Sequence, residues 1–291
     1  MEKKYSYLLQ IHLSVFLFGF AGLFGKWIAL DAMSIVWGRV LFASLAFLIW
    51  FAIKKTNPFL IPLKTYSYHL VLGILLAFHW WAFFHSIQLS TVAIGLFCYA
   101  SFPVFTVLLE PVIFKRKIKL STFFLLVLSS FGIYLILPEI NWASNYTQGV
   151  LWGLLSGLSF ALLTIGNKLM MDSERQMQTS LQMAFFQDFF ALIFLSPFLF
   201  YIMPDINSTS WMQLIVLGVL FTAIGHFLFI NGLKKTSAQA ASFIANMEPV
   251  YGVILAFFLL GEKPAFEAIV GGGLILFSAL LASLDRKSEN S

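Results

Sequence analysis

The sequence predicts an all-α integral membrane protein in which ten transmembrane helices form two inverted five-helix repeats, with the N- and C-termini in the cytoplasm. Three observations support this prediction. Sixty per cent of the residues are hydrophobic and only 11% are charged, against roughly 25% charged in an ordinary globular protein. The basic residues lie between apolar segments, almost all on one predicted side of the bilayer. The two halves of the chain also carry similar sequence patterns in the same order.

The apolar segments determine the number of helices. A helix needs about 20 mostly apolar residues to cross a bilayer, and ten segments of the chain meet this requirement. They are residues 8–25, 34–53, 68–87, 90–114, 120–138, 147–168, 180–203, 211–233, 237–260 and 266–284. The first segment follows two lysines and therefore also resembles a signal peptide. Nine further spans and the lack of a convincing cleavage site favour a retained helix.

The charged residues orient these helices. If both termini are cytoplasmic, fifteen of the eighteen Lys and Arg residues lie at the inner side and two, Lys26 and Lys263, at the outer side. Arg39 lies within a span. This is a strong positive-inside bias, and one span more or fewer would remove it. Six of the eight tryptophans also lie near predicted interfaces. Short basic clusters beside apolar segments do not form a nucleic-acid groove, so no nucleic-acid partner is expected.

The two halves of the chain match weakly but in the same order. "YASFPVFTVLL" at 99–109 aligns with "ANMEPVYGVIL" at 245–255, and "LSVFLFGFAGLFGK" at 13–26 aligns with "LSGLSFALLTIGNK" at 155–168. We therefore predict two repeats, residues 1–145 and 146–291. Because five spans is an odd number, the second repeat enters the membrane from the opposite face. Many secondary transporters have this architecture, with the substrate site near the midplane between the repeats.

The ten spans in two halves, a Pro-Val-aromatic step in the fourth helix of each half and "FLLGEKPAFEAIVGGGLILFSALL" at 258–281 resemble the EamA-like branch of the drug/metabolite transporter superfamily. The resemblance covers essentially the whole chain, and Leu-Gly-Glu at 260–262 is its most specific element. The first half departs from the family, with Phe-Lys-Arg-Lys at 114–117 where Gly-Glu is common. The resemblance implies a multi-pass transporter of the bacterial inner (plasma) membrane that carries small metabolites, often by export of amino acids or similar compounds.

Glu248 lies in the middle of the ninth apolar segment, directly before Pro249. An ionised carboxylate at the bilayer centre costs at least about 2.5–3.5 kcal/mol, so it needs a proton or a buried partner. Pro249 frees a carbonyl one turn earlier, and Pro103 does the same in the first repeat, so both are predicted helix kinks. We predict that Glu248 binds a substrate amine or carries a proton. The structural alternative is a neutral Glu bonded to a neighbouring helix.

The third apolar segment contains His79, Trp80 and Trp81 near its middle. His79 is a predicted proton relay or substrate contact, and the alternative is a core histidine bonded to a carbonyl. One of the two tryptophans must point inward, where it could stack on a substrate. The alternative, which is more common for tryptophan, is packing against lipid. His226 occupies the matching position to Trp80 in the second repeat and has the same two interpretations as His79.

Arg39 lies about five residues into the second span and is always charged. Either its charged end reaches the outer interface, or it lies in the substrate site and needs a buried anion. Asp31 is the nearer candidate partner. Asp188 is predicted to lie too close to the opposite membrane face for a direct pair.

Tyr99, Ser101 and Asn246 flank the two proline steps. Their polar groups are predicted to hydrogen-bond a substrate, and the alternative is that they cap the carbonyls freed by the prolines.

No phosphate-binding loop, metal-ligand spacing or nucleophile elbow occurs, so we predict no metal, no cofactor and no enzymatic activity. The predicted function is secondary active transport of small metabolites by alternating access, as an exporter of amino acids or related compounds, with protons as a candidate coupling ion. An uptake permease or exchanger is the alternative within this class, and a channel or sensor is the alternative outside it. The expected partners are a small-molecule substrate and the lipid bilayer, and the oligomeric state is left open.

Overall fold

A computed structural model describes residues 2–113, 115, 120–136, 141–172, 179–202, 205–233 and 244–285. Within these residues all regular structure is helical, which confirms the all-α class. The helices are α1 (Glu2–Ala21), α2 (Phe24–Trp27), α3 (Ala32–Ile53), α4 (Leu63–Leu89), α5 (Val92–Tyr99), α6 (Phe102–Ile113), α7 (Leu120–Ile136), α8 (Asn145–Asp172), α9 (Ser180–Ile202), α10 (Ser208–Val216), α11 (Gly225–Leu233), α12 (Glu248–Leu260) and α13 (Phe266–Asp285). A π-helix, Leu217–Ile224, connects α10 to α11.

In the part of the chain that the structure describes, seven helical segments are long and apolar enough to cross a membrane: Tyr7–Trp27, Ala32–Ile53, Leu63–Leu89, Val92–Ile113, Asn145–Asn167, Ser180–Leu199 and Ser208–Gly232. Three shorter apolar helices lie at the other predicted spans, at Phe123–Ile136, Glu248–Leu260 and Phe266–Leu281. Residues 114, 137–138, 203 and 237–243 of the predicted spans are outside the described residues. The count of ten spans and the cytoplasmic position of the termini therefore stay predictions.

Large apolar side chains cover the outside of the helices. Phe258 is 75% exposed and Phe124 is 63% exposed, and many Leu, Ile and Val side chains on other helices are also exposed. Water-soluble proteins rarely expose contiguous apolar surface on this scale. A hydrocarbon environment does not penalise these side chains, so the surface fits a lipid bilayer.

The helical backbone is interrupted at the proline step of each half. In the first half α5 ends at Tyr99 and α6 begins at Phe102, with Pro103 as its second residue. In the second half Asn246 and Met247 form a turn, and α12 begins at Glu248 with Pro249 next. Proline is favoured in the first turn of a helix because its missing N–H has no intrahelical partner there. The predicted kinks are therefore breaks, at each of which a proline starts a new half-helix.

The halves pack against each other through corresponding helices. Helix α1, the first helix of the first half, packs on α12 and α11. Helix α8, the first helix of the second half, packs on α5, α6 and α4. Helix α3 packs on α9, and α7 packs on α13. If each helix in these pairs is replaced by the helix at the corresponding position of the other half, the same set of pairs results. The broken helix of each half consequently lies against the first helix of the other half.

Two glycines allow these contacts to be close. A Cβ on Gly19 of α1 would lie 2.7 Å from the Glu248 carbonyl oxygen, and a Cβ on Gly157 of α8 would lie 2.9 Å from the carbonyl oxygen of Tyr99. Any larger side chain would push the helices apart. Small residues permit such backbone contacts between membrane helices, where dispersion contacts are a main source of helix association. Each break is thus fixed directly against backbone of the opposite half.

The Leu-Gly-Glu segment at 260–262 joins the halves at the end of α12. Gly261 has φ of 67°, a left-handed conformation that glycine adopts without steric cost and that ends the helix. The carboxylate of Glu262 then accepts hydrogen bonds from the amides of Val92 (3.1 Å) and Ala93 (3.4 Å) at the start of α5. A carboxylate is favoured there by the positive end of the helix dipole. The turn therefore links the second half to the first turn of α5.

Candidate functional site

Helix α12 places Glu248 in the protein interior, where the side chain is only 8% exposed. Its position in the first turn is favourable for a carboxylate because helix N-termini carry partial positive charge. The Tyr99 hydroxyl donates to its Oε2 over 3.5 Å, a long hydrogen bond. Since Tyr99 ends α5, this bond connects the broken helix of one half to that of the other. The site thus lies where the two breaks meet.

Aromatic rings surround the Tyr99 side of this site. The Tyr99 ring stacks on Phe102 at 5.3 Å and meets Phe160 at 5.4 Å and Phe83 at 5.7 Å, measured between ring centroids. These rings come from α4, α5, α6 and α8. We call Phe83, Tyr99, Phe102 and Phe160, together with His79, the aromatic cluster. Aromatic faces bind apolar groups and also attract cations.

His79 belongs to this cluster and is held by α8. Its ring lies 4.9 Å from Phe160 and 5.4 Å from Tyr99. Its Nδ1 is 3.0 Å from the Ser156 carbonyl oxygen and 3.0 Å from the Ser156 Oγ. The bond to a carbonyl matches the core-histidine interpretation, yet the ring also contacts the tyrosine that binds Glu248. Both predicted roles of His79 are therefore compatible with its position.

Arg39 does not reach the membrane interface, because its side chain is only 3% exposed. The interpretation in which the charged end of Arg39 reaches the outer interface is therefore wrong. The guanidinium carbon lies 3.8 Å from the centroid of Trp80, a close cation–π contact, and Nε donates to Thr222 Oγ1 at 3.1 Å. Asp31, the nearer predicted partner, instead caps α3 by accepting hydrogen bonds from the amide and hydroxyl of Ser34.

Trp80 connects Arg39 to a second polar group. Its ring stacks on His226 at 5.1 Å, and His226 Nδ1 lies 3.7 Å from the Asp188 Oδ2. A chain of contacts thus runs from Arg39 through Trp80 and His226 to Asp188. The sequence predicted that Asp188 lies too close to the opposite membrane face for a direct pair with Arg39. In the structure the rings of Trp80 and His226 connect the two residues. We call Arg39, Trp80, Asp188, Thr222 and His226 the Arg39 cluster.

Trp81 takes a different direction from Trp80. Its ring stacks on His85 at 5.4 Å and meets Trp152 at 4.8 Å, and it is half-buried. Its ring contacts are thus made away from Tyr99 and Glu248. Consecutive helical residues point about 100° apart, which is why only one of the paired tryptophans joins the interior clusters.

Ser101 and Asn246 lie at the two breaks as the sequence placed them. The Ser101 hydroxyl donates to the Cys98 carbonyl oxygen at 2.6 Å, so it caps the last turn of α5. This bond matches the alternative in which Ser101 caps a backbone carbonyl instead of binding a substrate. Asn246 is buried in the turn before α12. Tyr99, the third polar residue predicted at the breaks, donates a hydrogen bond to Glu248.

The structure adds residues that the sequence did not place in the site: Asp188, Ser156, Phe160 and Thr222. Asp188 had a detectable signal, since an acid inside an apolar helix has the same insertion cost as Glu248. The hydroxyl residues Ser156 and Thr222 had none. Such residues are common in membrane helices, and their roles depend on which neighbouring helix presents a partner.

The fold and these clusters define a class of protein: a helical, multi-pass membrane protein with buried polar groups between two related halves. The model of the EamA-like transporter family matches the chain twice, at residues 5–137 and 147–284. The chain therefore belongs to the EamA-like transporter family. This confirms the resemblance inferred from the Pro-Val-aromatic steps and the Leu-Gly-Glu turn.

Similarity to individual proteins supports this membership. The chain is 24% identical to an uncharacterized transporter, YxxF, of Bacillus subtilis over 98% of this chain and 92% of the relative. It is 26% identical to an uncharacterized transporter of Archaeoglobus fulgidus over 94% of both chains. It is also 24% identical to a biotin transporter of Salmonella typhimurium over 94% of this chain and 91% of the relative. A protein of known crystal structure has the same fold, with a TM-score of 0.65, 13% identity and 96% coverage of each chain.

Family membership gives the general activity and location. The protein is a membrane transporter of the EamA type, and its bacterial relatives place it in the plasma membrane. Small molecules and membrane lipid are therefore its partners.

Proposed function

We propose that this transporter works by alternating access between two inverted halves, residues 1–145 and 146–291, and that its solute binds beside Glu248. One observation carries the proposal: a carboxylate buried at the start of α12, directly after the break in one half, bonds to Tyr99, the last residue of α5 before the break in the other half. Sites between inverted repeats, formed by discontinuous helices, are a recurrent design of secondary transporters. A relative movement of the halves would change this site directly.

The side chains at the site favour a solute with an amine and an apolar body. Glu248 supplies a carboxylate for the amine, and the aromatic cluster supplies ring faces for apolar groups or for the cation itself. A carboxylate on the solute would pair with the guanidinium of Arg39, the buried cation of the Arg39 cluster. Amino acids and related compounds have this combination of groups. A carboxylate-bearing solute without an amine, as carried by the relative named a biotin transporter, would use Arg39 instead.

Export is the proposed direction, in line with the metabolite exporters of this family, and protons are the proposed coupling ion. In this scheme Glu248 binds the substrate amine or exchanges a proton. Uptake and exchange are the alternatives, because an inverted repeat works in both directions and the coupling ion sets the net flow. A channel or a sensor would lack saturable flux and counter-transport.

The test is untargeted mass spectrometry of medium and cytosol from cells that express the native chain, Glu248→Gln or Glu267→Gln. Glu267 lies in the first turn of α13 and is exposed, so Glu267→Gln is the same chemical change away from the site. We expect one metabolite to accumulate outside with the native chain and with Glu267→Gln but not with Glu248→Gln. A charged hydrogen bond contributes about 1.5–3 kcal/mol, so affinity should fall by roughly 10- to 100-fold.

Other results would contradict parts of the proposal. A metabolite that accumulates in the cytosol instead of the medium would reverse the direction. Equal accumulation with Glu248→Gln and the native chain, at matched expression, would remove Glu248 from the site. External pH changes that alter flux in the native chain, and equally in Glu248→Gln, would remove the proton role from Glu248.

A further inference from the structure

Asp188 is a buried acid that the proposed substrate site does not use. Its side chain is 0% exposed on α9, and within the described residues neither carboxylate oxygen has a hydrogen-bond partner. The His226 Nδ1 at 3.7 Å is beyond hydrogen-bond distance. An ionised carboxylate in this position would lack both water and a direct donor, which is costly in a protein interior.

The helices packed against α9 bring several titratable or charged groups toward Asp188. His226 on α11 faces the Asp188 carboxylate at 3.7 Å, and Trp80 connects His226 to Arg39 on α3. His69 and His79 lie on α4, which also packs on α9, and Glu248 on α12 is the other buried acid. With neutral histidines, Arg39 carries one positive charge and the two acids carry two negative charges. The group is therefore neutral only when one acid holds a proton, and neutrality is favoured where the local dielectric is low.

We propose that Asp188, beside His226, is a proton-binding site distinct from the substrate carboxylate Glu248. The proton rests on Asp188 because that carboxylate has no hydrogen-bond donor, whereas Glu248 accepts one from Tyr99. A proton on Asp188 removes the uncompensated charge and supplies an O–H donor. The site thereby gives the proposed transporter a place to carry a coupling proton without competing for the substrate anchor.

The surroundings favour a proton over a metal cation. Hard cations prefer several oxygen ligands, whereas Asp188 offers one carboxylate beside the imidazole of His226. Among the described residues, no group of three or more His, Cys, Asp or Glu side chains is placed to hold a metal ion. The positive charge of Arg39 also opposes a second fixed cation. A proton neutralises Asp188 without requiring further ligands.

The site is built from both halves. Arg39 and Trp80 lie on α3 and α4 of the first half, whereas Asp188 and His226 lie on α9 and α11 of the second. Trp80 contacts both Arg39 and His226. A movement of one half against the other changes the distance from Arg39 to Asp188, and with it the stability of the carboxylate. Proton binding is thereby linked to the arrangement of the halves.

The test uses the proton itself as the ligand. The purified full-length protein is reconstituted in phospholipid vesicles, and infrared difference spectra are recorded between pH 6 and pH 9. Exposed carboxyl groups are already ionised above about pH 6, so a remaining C=O band reports a buried carboxylic acid. Either Asp188→Asn or Glu248→Gln leaves one acid to balance Arg39, so we expect both variants to move the band to lower pH. Asp188 in Glu248→Gln should keep its proton to a higher pH than Glu248 does in Asp188→Asn, because Glu248 accepts a hydrogen bond from Tyr99 whereas Asp188 has no donor. The reverse order, or an unchanged band in Asp188→Asn, would overturn the assignment.

A second variant keeps the test decisive if Asp188→Asn does not fold. His226→Gln retains the acid but removes the neighbouring imidazole, so the band should remain and its pH midpoint should shift by about half a unit or more. An unshifted midpoint would place the proton elsewhere. A midpoint that moves with sodium concentration would indicate a metal cation and also overturn the proposal. These spectra require no transported solute, so they can fail or succeed independently of the mass-spectrometry test.

Discussion

Gly19 provides the sharpest test of the contact that positions Glu248. A Cβ at this residue would lie 2.7 Å from the Glu248 carbonyl oxygen, 3.0 Å from the Gly252 amide nitrogen and 3.2 Å from the Tyr251 Cβ. Two of these three neighbours are backbone atoms, which cannot rotate away as a side chain can. In Gly19→Ala, α1 and α12 must therefore separate by a few tenths of an ångström along this contact.

The expected cost combines two opposing effects. Overpacking a well-packed interior typically costs about 1–3 kcal/mol, whereas replacing Gly by Ala inside a helix contributes about 0.5–1 kcal/mol of stability. We therefore expect a net destabilisation of up to about 2.5 kcal/mol for Gly19→Ala. For a chain of this size that corresponds to a fall in Tm of up to roughly 10 °C.

Gly273→Ala is the matched control, since a Cβ at Gly273 of α13 would meet no atom within 4 Å. Only the helix-propensity effect applies there, so its Tm should equal or slightly exceed that of the native protein. Both variants are measured by the loss of helical circular dichroism on heating in the same detergent. If Gly19→Ala melts at the same temperature as Gly273→Ala, the backbones of α1 and α12 are not in direct contact and the position of Glu248 needs another explanation.

Two further substitutions test how the helix ends are held. Asp31→Ala removes the carboxylate that accepts the Ser34 amide at 3.1 Å. It should lower stability by about 0.5–2 kcal/mol, whereas Asp31→Asn, which can still cap, should retain most of it; equal melting temperatures for the two variants would argue against capping. Glu262→Ala removes both bonds to the amides of Val92 and Ala93. It should lower the Tm more than Glu262→Gln, which keeps one acceptor, and equal effects would show that the carboxylate does not hold the start of α5.

The sequence by itself determined the fold class and the location of the breaks. Hydrocarbon cannot hydrogen-bond the backbone, so long apolar segments must form helices. Proline lacks an amide N–H wherever it lies, so Pro103 and Pro249 marked the two discontinuities. The sequence did not distinguish a bend from a break, because that depends on whether neighbouring helices stabilise the freed backbone groups.

The burial of Glu248 was also evident from the sequence, since the insertion cost of an acid depends on depth along its own helix. Its bond to Tyr99 required the tertiary structure, because it joins helices 149 residues apart.

Only the tertiary structure decided which polar residues share a cluster. From the sequence, Arg39 was compatible with an interfacial or a buried position. Either Trp80 or Trp81 could equally have been the tryptophan that points into the interior. The rotation of each helix and the partners on other helices made Arg39 and Trp80 interior and brought Asp188 to them through His226. Depth along a helix can be counted from a sequence, but the direction of a side chain around the helix axis is fixed by packing between helices.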